Sequence, residues 1–132
     1  MMSNVETIQS IYAAFGKGDI PHILNTLAED VDWKFYGPAS IPFAGHYHGR
    51  EDIARFFGLV GANVEIEVYD IQEIEETGHT VIVQGFQRVK ARPTGKRWET
   101  NFVHIYTFDH DQPVKVREYY DTAPMVEAFR AN

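Results

Sequence analysis

The hydrophobic period of this chain changes once, near residue 63, and that change constrains the fold more than any other feature of the sequence. Before it, apolar residues recur every three to four positions, as they do on one face of an α-helix. After it they alternate, as in β-strands with one buried face. The chain has 132 residues, the size of a single domain. We therefore expect one α+β domain over residues 1–132, with helices first and an antiparallel sheet second.

The first half of the chain is predicted to hold three helices and one short strand. The helices cover residues 3–15, a segment that begins at Asp19 and a segment that begins at about Arg50. Ser3 and Glu6 have the spacing of a capping box, and Pro21 suits the first turn of the second helix. Residues 31–35 alternate between apolar and polar and predict a strand, whereas the prolines and glycines of residues 37–48 indicate a loop.

The second half is predicted to form a four-strand antiparallel meander followed by a short helix. The strands run from residue 63 to the turn at Thr77, from 80 to 92, from 97 to 108 and from 114 to 121, and the helix starts at Thr122. The alternation changes phase near Tyr69, which indicates a bulge that curves the sheet. A curved sheet with helices on one side makes a cone-shaped half-barrel, and a ligand would bind in the hollow between the two layers.

Composition excludes several classes of protein. The chain has no cysteine, which excludes disulfides, zinc fingers and a thiol nucleophile. Acidic residues outnumber basic ones by 19 to 12, and no cluster of Lys and Arg offers a surface for nucleic acid. No segment resembles a signal peptide or a membrane span, so we expect a cytoplasmic protein without a membrane partner. No phosphate-binding loop or serine-hydrolase elbow is present, and we expect no cofactor.

Four segments of the sequence resemble one known superfamily. They are the helix, Gly-Asp, helix pattern YAAFGKGD of residues 12–19, the acidic turn LAEDVDW of residues 27–33, the helix entry FAGHYHGREDI of residues 43–53 and the strand end REYYD of residues 117–121. These segments are similar to the nuclear transport factor 2-like superfamily, and most of all to its SnoaL-like polyketide cyclases. The resemblance implies the cone-shaped α+β fold, with three N-terminal helices that close a pocket. It leaves the function open, because this superfold hosts enzymes and binding modules alike.

The resemblance also implies a pair of catalytic residues. SnoaL-like cyclases pair a histidine on the penultimate strand with an aspartate at the end of the last strand, and His104 and Asp121 match those positions. Asp121 is then the predicted general base, and His104 the hydrogen-bond donor or proton relay. The ketosteroid isomerase branch fits poorly, because its tyrosine, base and acid positions fall on Ile11, Phe35 and His104.

Strand periodicity extends this pair to a pocket wall, because alternate residues share one face of a strand. The wall is mostly aromatic, in keeping with an aromatic content of 14%. The predicted substrate-binding residues are Trp33, Phe35, Tyr47, Phe57, Gln87, Trp98, Phe102, Tyr106, Arg117 and Tyr119. Structural roles stay open beside these, such as a helix cap for Asp121. His46 and His48 have spacing that a metal ion could use, but no third ligand is recognisable, so we expect no metal.

Two functions are compatible with these patterns. One is an enzyme of the cyclase or isomerase type that uses no cofactor and acts on a small carbonyl-containing molecule of apolar or aromatic character. The alternative is a non-catalytic ligand-binding or dimerisation module of the same fold. In either case the resemblance implies a homodimer packed through the outer face of the sheet. We place Ile82, Phe86, Val103, Ile105, Val116 and Tyr120 on that face.

Overall fold

Helices and strands segregate along the chain as the change of period predicts. The computed structural model describes residues 2–131. The elements are α1 (Asn4–Gly16), α2 (Ile20–Thr26), β1 (Asp32–Phe35), β2 (Gly45–His48), α3 (Gly49–Asn63), β3 (Val64–Thr77), β4 (Thr80–Ala91), β5 (Arg97–Asp109), β6 (Gln112–Tyr120) and α4 (Thr122–Phe129). The strand β2 is a correction, because it lies within the segment predicted as a loop. It forms because its backbone pairs with β1 in an antiparallel register.

Local signals in the sequence explain where the first two helices begin. The Ser3 hydroxyl accepts a hydrogen bond from the Glu6 amide at 3.1 Å, and the Glu6 carboxylate accepts one from the Ser3 amide at 3.0 Å. The predicted capping box is therefore present. Asp19 caps α2 by accepting from the backbone amide of His22 at 3.2 Å, and a proline occupies the first turn of that helix.

The six strands form one curved, unclosed sheet in the order β2-β1-β6-β5-β4-β3. Only the β1–β6 pair is parallel, and the last four strands form the predicted antiparallel meander. Two bulges bend β3, one at Glu67 and one at Gln72, where a residue lacks a partner on β4. They flank the predicted position at Tyr69 and curve the sheet around the helices.

The predicted phase of β6 is wrong. Val116 and Glu118 are buried on the inner face, whereas Arg117 and Tyr119 point outward. The physical reason is a bulge in the β5–β6 hairpin, where Phe108 pairs with Pro113 and Thr107 pairs with Lys115. The residue between these two partners, Val114, is skipped. From there on, every side chain of β6 faces the side opposite to the one that a regular hairpin would give it.

The outer face of the sheet is correspondingly less apolar than predicted. Ile82, Phe86, Val103 and Ile105 lie there and are partly exposed, as expected. The prediction that Val116 and Tyr120 lie on this face is wrong, because the phase of β6 turns both side chains toward the helices. Within residues 2–131, no helix is both long enough and apolar enough to cross a membrane.

Candidate functional site

A cavity lies between the concave face of the sheet and the three N-terminal helices. Its volume is about 60 Å³, and its wall combines side chains from α1, α2, α3 and five of the strands. Most of the wall is apolar or aromatic, and the polar groups set into it include Gln87, His104 and Glu118. Typical ligand pockets are several times larger, at about 300–1,000 Å³. An occupant larger than a few water molecules must therefore displace some of the rings.

His104 is the centre of a hydrogen-bonded network in this wall. Its Nδ1 lies 2.6 Å from the Tyr12 hydroxyl, and its Nε2 lies 2.9 Å from the Tyr120 hydroxyl. The Tyr106 hydroxyl donates to the Tyr12 hydroxyl at 2.8 Å. The network ties α1 to β5 and β6, because Tyr12 comes from the helix and the other three groups from the sheet.

The order of donors in this network sets the tautomer of His104. Tyr12 accepts from Tyr106, so its own single proton is free to point at Nδ1. Nδ1 then acts as an acceptor, and the proton of the neutral ring resides on Nε2, which donates to Tyr120. Burial lowers the pKa of His104 from 6.5 to about 3, so the ring is neutral at pH 7.

Glu118 is the carboxyl group of this cavity. It lies directly opposite His104 in the β5–β6 pair, and its Oε1 is 3.8 Å from His104 Nε2, which is too long for a hydrogen bond. Its side chain is only 8% exposed. Burial raises the pKa of Glu118 from 4.5 to about 8, so the group holds its proton at pH 7 and releases it just above.

Seven of the twelve predicted site residues lie in the cavity wall. They are Trp33, Phe35, Phe57, Gln87, Trp98, His104 and Tyr106. All of them come from elements whose period the sequence shows clearly. Their placement confirms the predicted inward face of β1, β4 and β5.

Three predicted site residues at the end of the chain, Arg117, Tyr119 and Asp121, lie outside the cavity wall. Arg117 donates to the Asp32 carboxylate at 2.9 Å, and Tyr119 stacks on Tyr36 with 4.6 Å between ring centroids. Asp121 is exposed at the start of α4, and its side chain makes no capping hydrogen bond. A catalytic role for Asp121 stays a prediction that this placement does not support.

Two predicted aromatic residues are buried behind the wall rather than in it. The Tyr47 hydroxyl donates to the carbonyl of Phe43 at 2.9 Å, so this side chain belongs to the packed core. Phe102 stacks on the imidazole of His104 with centroids 4.5 Å apart. Its ring leans over Gly85 on the neighbouring strand, where no side chain competes for the space.

Four polar residues of the wall escaped the sequence-based prediction, and they are Tyr12, Tyr69, Glu118 and Tyr120. Glu118 and Tyr120 were missed because of the bulge at Val114. A regular hairpin would place Arg117 opposite His104, whereas the bulge places Glu118 there. Tyr12 lies on the apolar face of the first predicted helix. Its spacing there indicates burial but gives no sign of its hydrogen bond to His104.

His46 and His48 lie on the strand β2 rather than on a loop. His46 Nε2 lies 2.6 Å from the Asp32 carboxylate, and the imidazole of His48 is exposed. Across residues 2–131, no three His, Asp or Glu side chains gather closely enough to hold a metal ion.

A second, open cleft adjoins the cavity between α1 and β3. Its volume is about 460 Å³. Tyr12, Phe15, Ile66 and Tyr69 line both this cleft and the inner cavity. Phe15 and Tyr69 pack against each other with ring centroids 5.1 Å apart. These side chains therefore form the boundary that the cavity and the cleft share.

A family model for the SnoaL-like domain matches residues 8–119, most of the chain. The chain belongs to the SnoaL-like domain family. The matched region of this SnoaL-like protein includes the whole His104–Glu118 pair and ends before Asp121. Among curated proteins, no relative matches it.

Solved structures extend the likeness over the entire SnoaL-like fold. A nuclear transport factor 2-like protein of unknown function from Burkholderia pseudomallei is 30% identical, with a TM-score of 0.87 over 98% of this chain and 100% of its own. A similar protein from Burkholderia xenovorans is 29% identical, with a TM-score of 0.87 over 96% of this chain and 95% of its own. TerC, co-crystallised with polyporic acid, is 26% identical, with a TM-score of 0.87 over 97% of this chain and 98% of its own.

Proposed function

We propose that this protein is an enzyme that moves protons on a small, apolar, carbonyl-containing substrate by using side chains alone. The observation that carries the proposal is Glu118, a carboxyl group buried in an aromatic cavity 3.8 Å from His104. Burial raises its pKa to about 8. A general base is most effective when its pKa lies near the working pH, because it can then both take up and return a proton.

The reaction begins with ionised Glu118. It removes a proton from the carbon next to the carbonyl, and the electrons of that C–H bond move onto the carbonyl oxygen to give an enolate. The Tyr120 hydroxyl accepts from the Nε2–H of His104, so its own proton is free to stabilise this oxygen. In a substrate whose enolate is conjugated with a C=C bond, return of the proton to the far carbon of that conjugated system shifts the double bond and isomerises the substrate. Attack of the enolate carbon on a second carbonyl closes a ring, and the resulting alkoxide takes the proton from Glu118.

Relatives support a small-molecule role to different degrees. TerC, at 26% identity, is co-crystallised with polyporic acid, which favours a small organic ligand for this fold. Solved neighbours with isomerase or cyclase in their descriptions are 16–20% identical, and that likeness supports the shared fold alone. The chemistry proposed for this chain therefore rests on its own side chains.

Hydrogen exchange at carbon tests the proposal without knowledge of the natural substrate. 2-Tetralone, a cyclic ketone with acidic C–H bonds, is incubated with the protein in D₂O, and deuterium uptake is followed by NMR. The wild-type rate should rise with pH up to about 8, as Glu118 ionises. Glu118→Gln should reduce the enzymatic rate by about 10²–10⁴-fold. Asp121→Asn, which removes an exposed carboxylate, is the matched control and should leave the rate unchanged. An unchanged rate in Glu118→Gln together with a reduced rate in Asp121→Asn would contradict the assignment of Glu118 as the base.

Ligand binding without catalysis is the second candidate, and the position of Asp121 favours it. The carboxylate that the family resemblance implies as the base is exposed at the start of α4 and is not part of the cavity wall. This function predicts tight binding of a cyclic ketone that survives Glu118→Gln, with no enzymatic exchange even in the wild type.

A further inference from the structure

The two tryptophans of the chain share an unusual feature in the cavity wall. Trp33 comes from β1 and Trp98 from β5, and their side chains are 2% and 4% exposed. Each indole nitrogen is buried and has no hydrogen-bond acceptor among residues 2–131. Within that range they are the only buried side-chain nitrogen or oxygen atoms left without a partner.

Unpaired buried donors are costly and therefore informative. A buried N–H group without an acceptor has lost its hydrogen bond to water and gained nothing in return, and native structures hold few such groups. Aromatic rings, which offer no conventional acceptor, pack against both indoles. Trp33 packs against Phe56 and Phe57 with centroids 5.5 and 5.7 Å away, and Trp98 packs against Phe129 at 5.5 Å. A molecule that enters the cavity can supply the missing acceptor.

The charges of the wall define what kind of acceptor fits. No Lys or Arg side chain is among the residues that line the cavity. A carboxylate or phosphate ligand would therefore be buried without a counter-ion, which is strongly unfavourable. An indole N–H is a donor only and needs no charge on its partner. A neutral carbonyl oxygen satisfies both conditions.

We propose that Trp33 and Trp98 are ligand-recognition residues whose indole N–H groups donate to neutral carbonyl oxygens of an apolar ligand. The inference rests on the proposed function, which assigns a carbonyl compound to this cavity. It identifies the two indole N–H groups as the donors that distinguish this compound from a hydrocarbon of the same shape. The cavity of about 60 Å³ must widen to admit such a ligand, and both indoles line the space that it would enter.

Two probes of the same shape separate hydrogen bonding from simple filling of the cavity. Cyclohexanone has a carbonyl oxygen where methylenecyclohexane has a CH₂ group. With only two tryptophans in the chain, a ¹⁵N–¹H spectrum contains two indole signals, which Trp33→Phe and Trp98→Phe assign. Cyclohexanone should move at least one indole proton downfield and slow its exchange with solvent. Methylenecyclohexane should bind but produce neither effect.

Affinity measurements on the variants complete the test. Replacing the responding tryptophan by phenylalanine should weaken cyclohexanone binding about three- to tenfold and leave methylenecyclohexane within twofold of wild type. The wild-type spectrum remains decisive if a variant does not fold.

Several outcomes would overturn the inference. These are equal indole shifts with both probes, absence of binding by either probe, or cross-relaxation to a bound water at both indoles in the free protein. Loss of carbon exchange in the tetralone assay alongside a ketone-specific indole shift would overturn the proposed function and leave this inference standing.

Discussion

A single hydroxyl on the first helix decides the state of the residue at the centre of the cavity. Tyr12 is the α1 member of the His104 network, and its hydroxyl donates to Nδ1 because its oxygen already accepts from Tyr106. Burial raises the pKa of Tyr12 well above 10, so the hydroxyl keeps that proton. The Nε2–H of His104 is thereby aimed at Tyr120, beside the Glu118 carboxyl.

Tyr12→Phe should remove the preference of His104 for the tautomer that carries its proton on Nε2. In the wild type, ¹⁵N spectra of the His104 side chain should show an unprotonated Nδ1 and a protonated Nε2. Without the donor at position 12, both neutral forms should be populated. Tyr119→Phe is the control, since this ring is 41% exposed on the outer face, and it should leave the spectrum unchanged. A protonated Nδ1 in the wild type would show that Tyr12 does not donate to His104.

At the scale of elements, strand periodicity predicts which residues share a face but not how two strands align across an irregular turn. The inward faces of β1, β4 and β5 follow from alternation alone, and they carry Trp33, Gln87 and His104 into the cavity. The phase of β6 depends on one skipped residue, Val114, and both of its possible faces contain polar and aromatic side chains. Nothing in the local pattern could therefore distinguish Glu118 from Asp121 as the inner carboxyl group.

The close packing of β4 and β5 gives a prediction about stability. A Cβ atom at Gly85 would lie 2.7 Å from Cε1 of Phe102 and 2.8 Å from the carbonyl oxygen of Asp70. Gly85→Ala should therefore lower the free energy of unfolding by about 1–3 kcal/mol in urea titrations. Gly58 lies in α3 with open space around it, so Gly58→Ala should raise the free energy of unfolding by about 0.5–1 kcal/mol. A Gly85→Ala protein as stable as wild type would show that the Phe102 ring has another position.

At the scale of the whole molecule, two buried groups shape the dependence of stability on pH. Burial lowers the pKa of His104 from 6.5 to about 3, so the unfolded chain binds more protons in that range and stability rises with pH. Burial raises the pKa of Glu118 from 4.5 to about 8, so the unfolded chain binds fewer protons in that range and stability falls with pH. The two effects oppose each other between pH 4.5 and 6.5, and only the fall remains between 6.5 and about 8.

Glu118→Gln should remove this fall. The contribution of the cavity to the free energy of unfolding should then rise up to pH 6.5, as His104 alone requires, and stay level to pH 8. Urea titrations at several pH values measure the profile. Asp121→Asn should retain the wild-type shape, and a Glu118→Gln profile parallel to the wild type would contradict the buried state of this carboxyl.

The homodimer expected from the resemblance stays a prediction. The outer face of β4 and β5 carries Ile82, Phe86, Val103 and Ile105, all partly exposed, but it lacks the two β6 side chains that were expected there. The predicted dimer therefore rests on a smaller apolar area. A charged residue at its centre, as in Val103→Glu, should dissociate the dimer in sedimentation equilibrium, and a monomeric wild type would contradict the expectation.

The proposed site depends more on the ionisation of Glu118 than on any other property of the molecule. Its carboxyl carbon can be followed directly by ¹³C NMR from pH 4 to 10, with the signal assigned by its absence in Glu118→Gln. We predict a midpoint near pH 8, the pKa to which burial raises this group. A midpoint near the ordinary value of 4.5 would show a solvated carboxylate and contradict the proposed site.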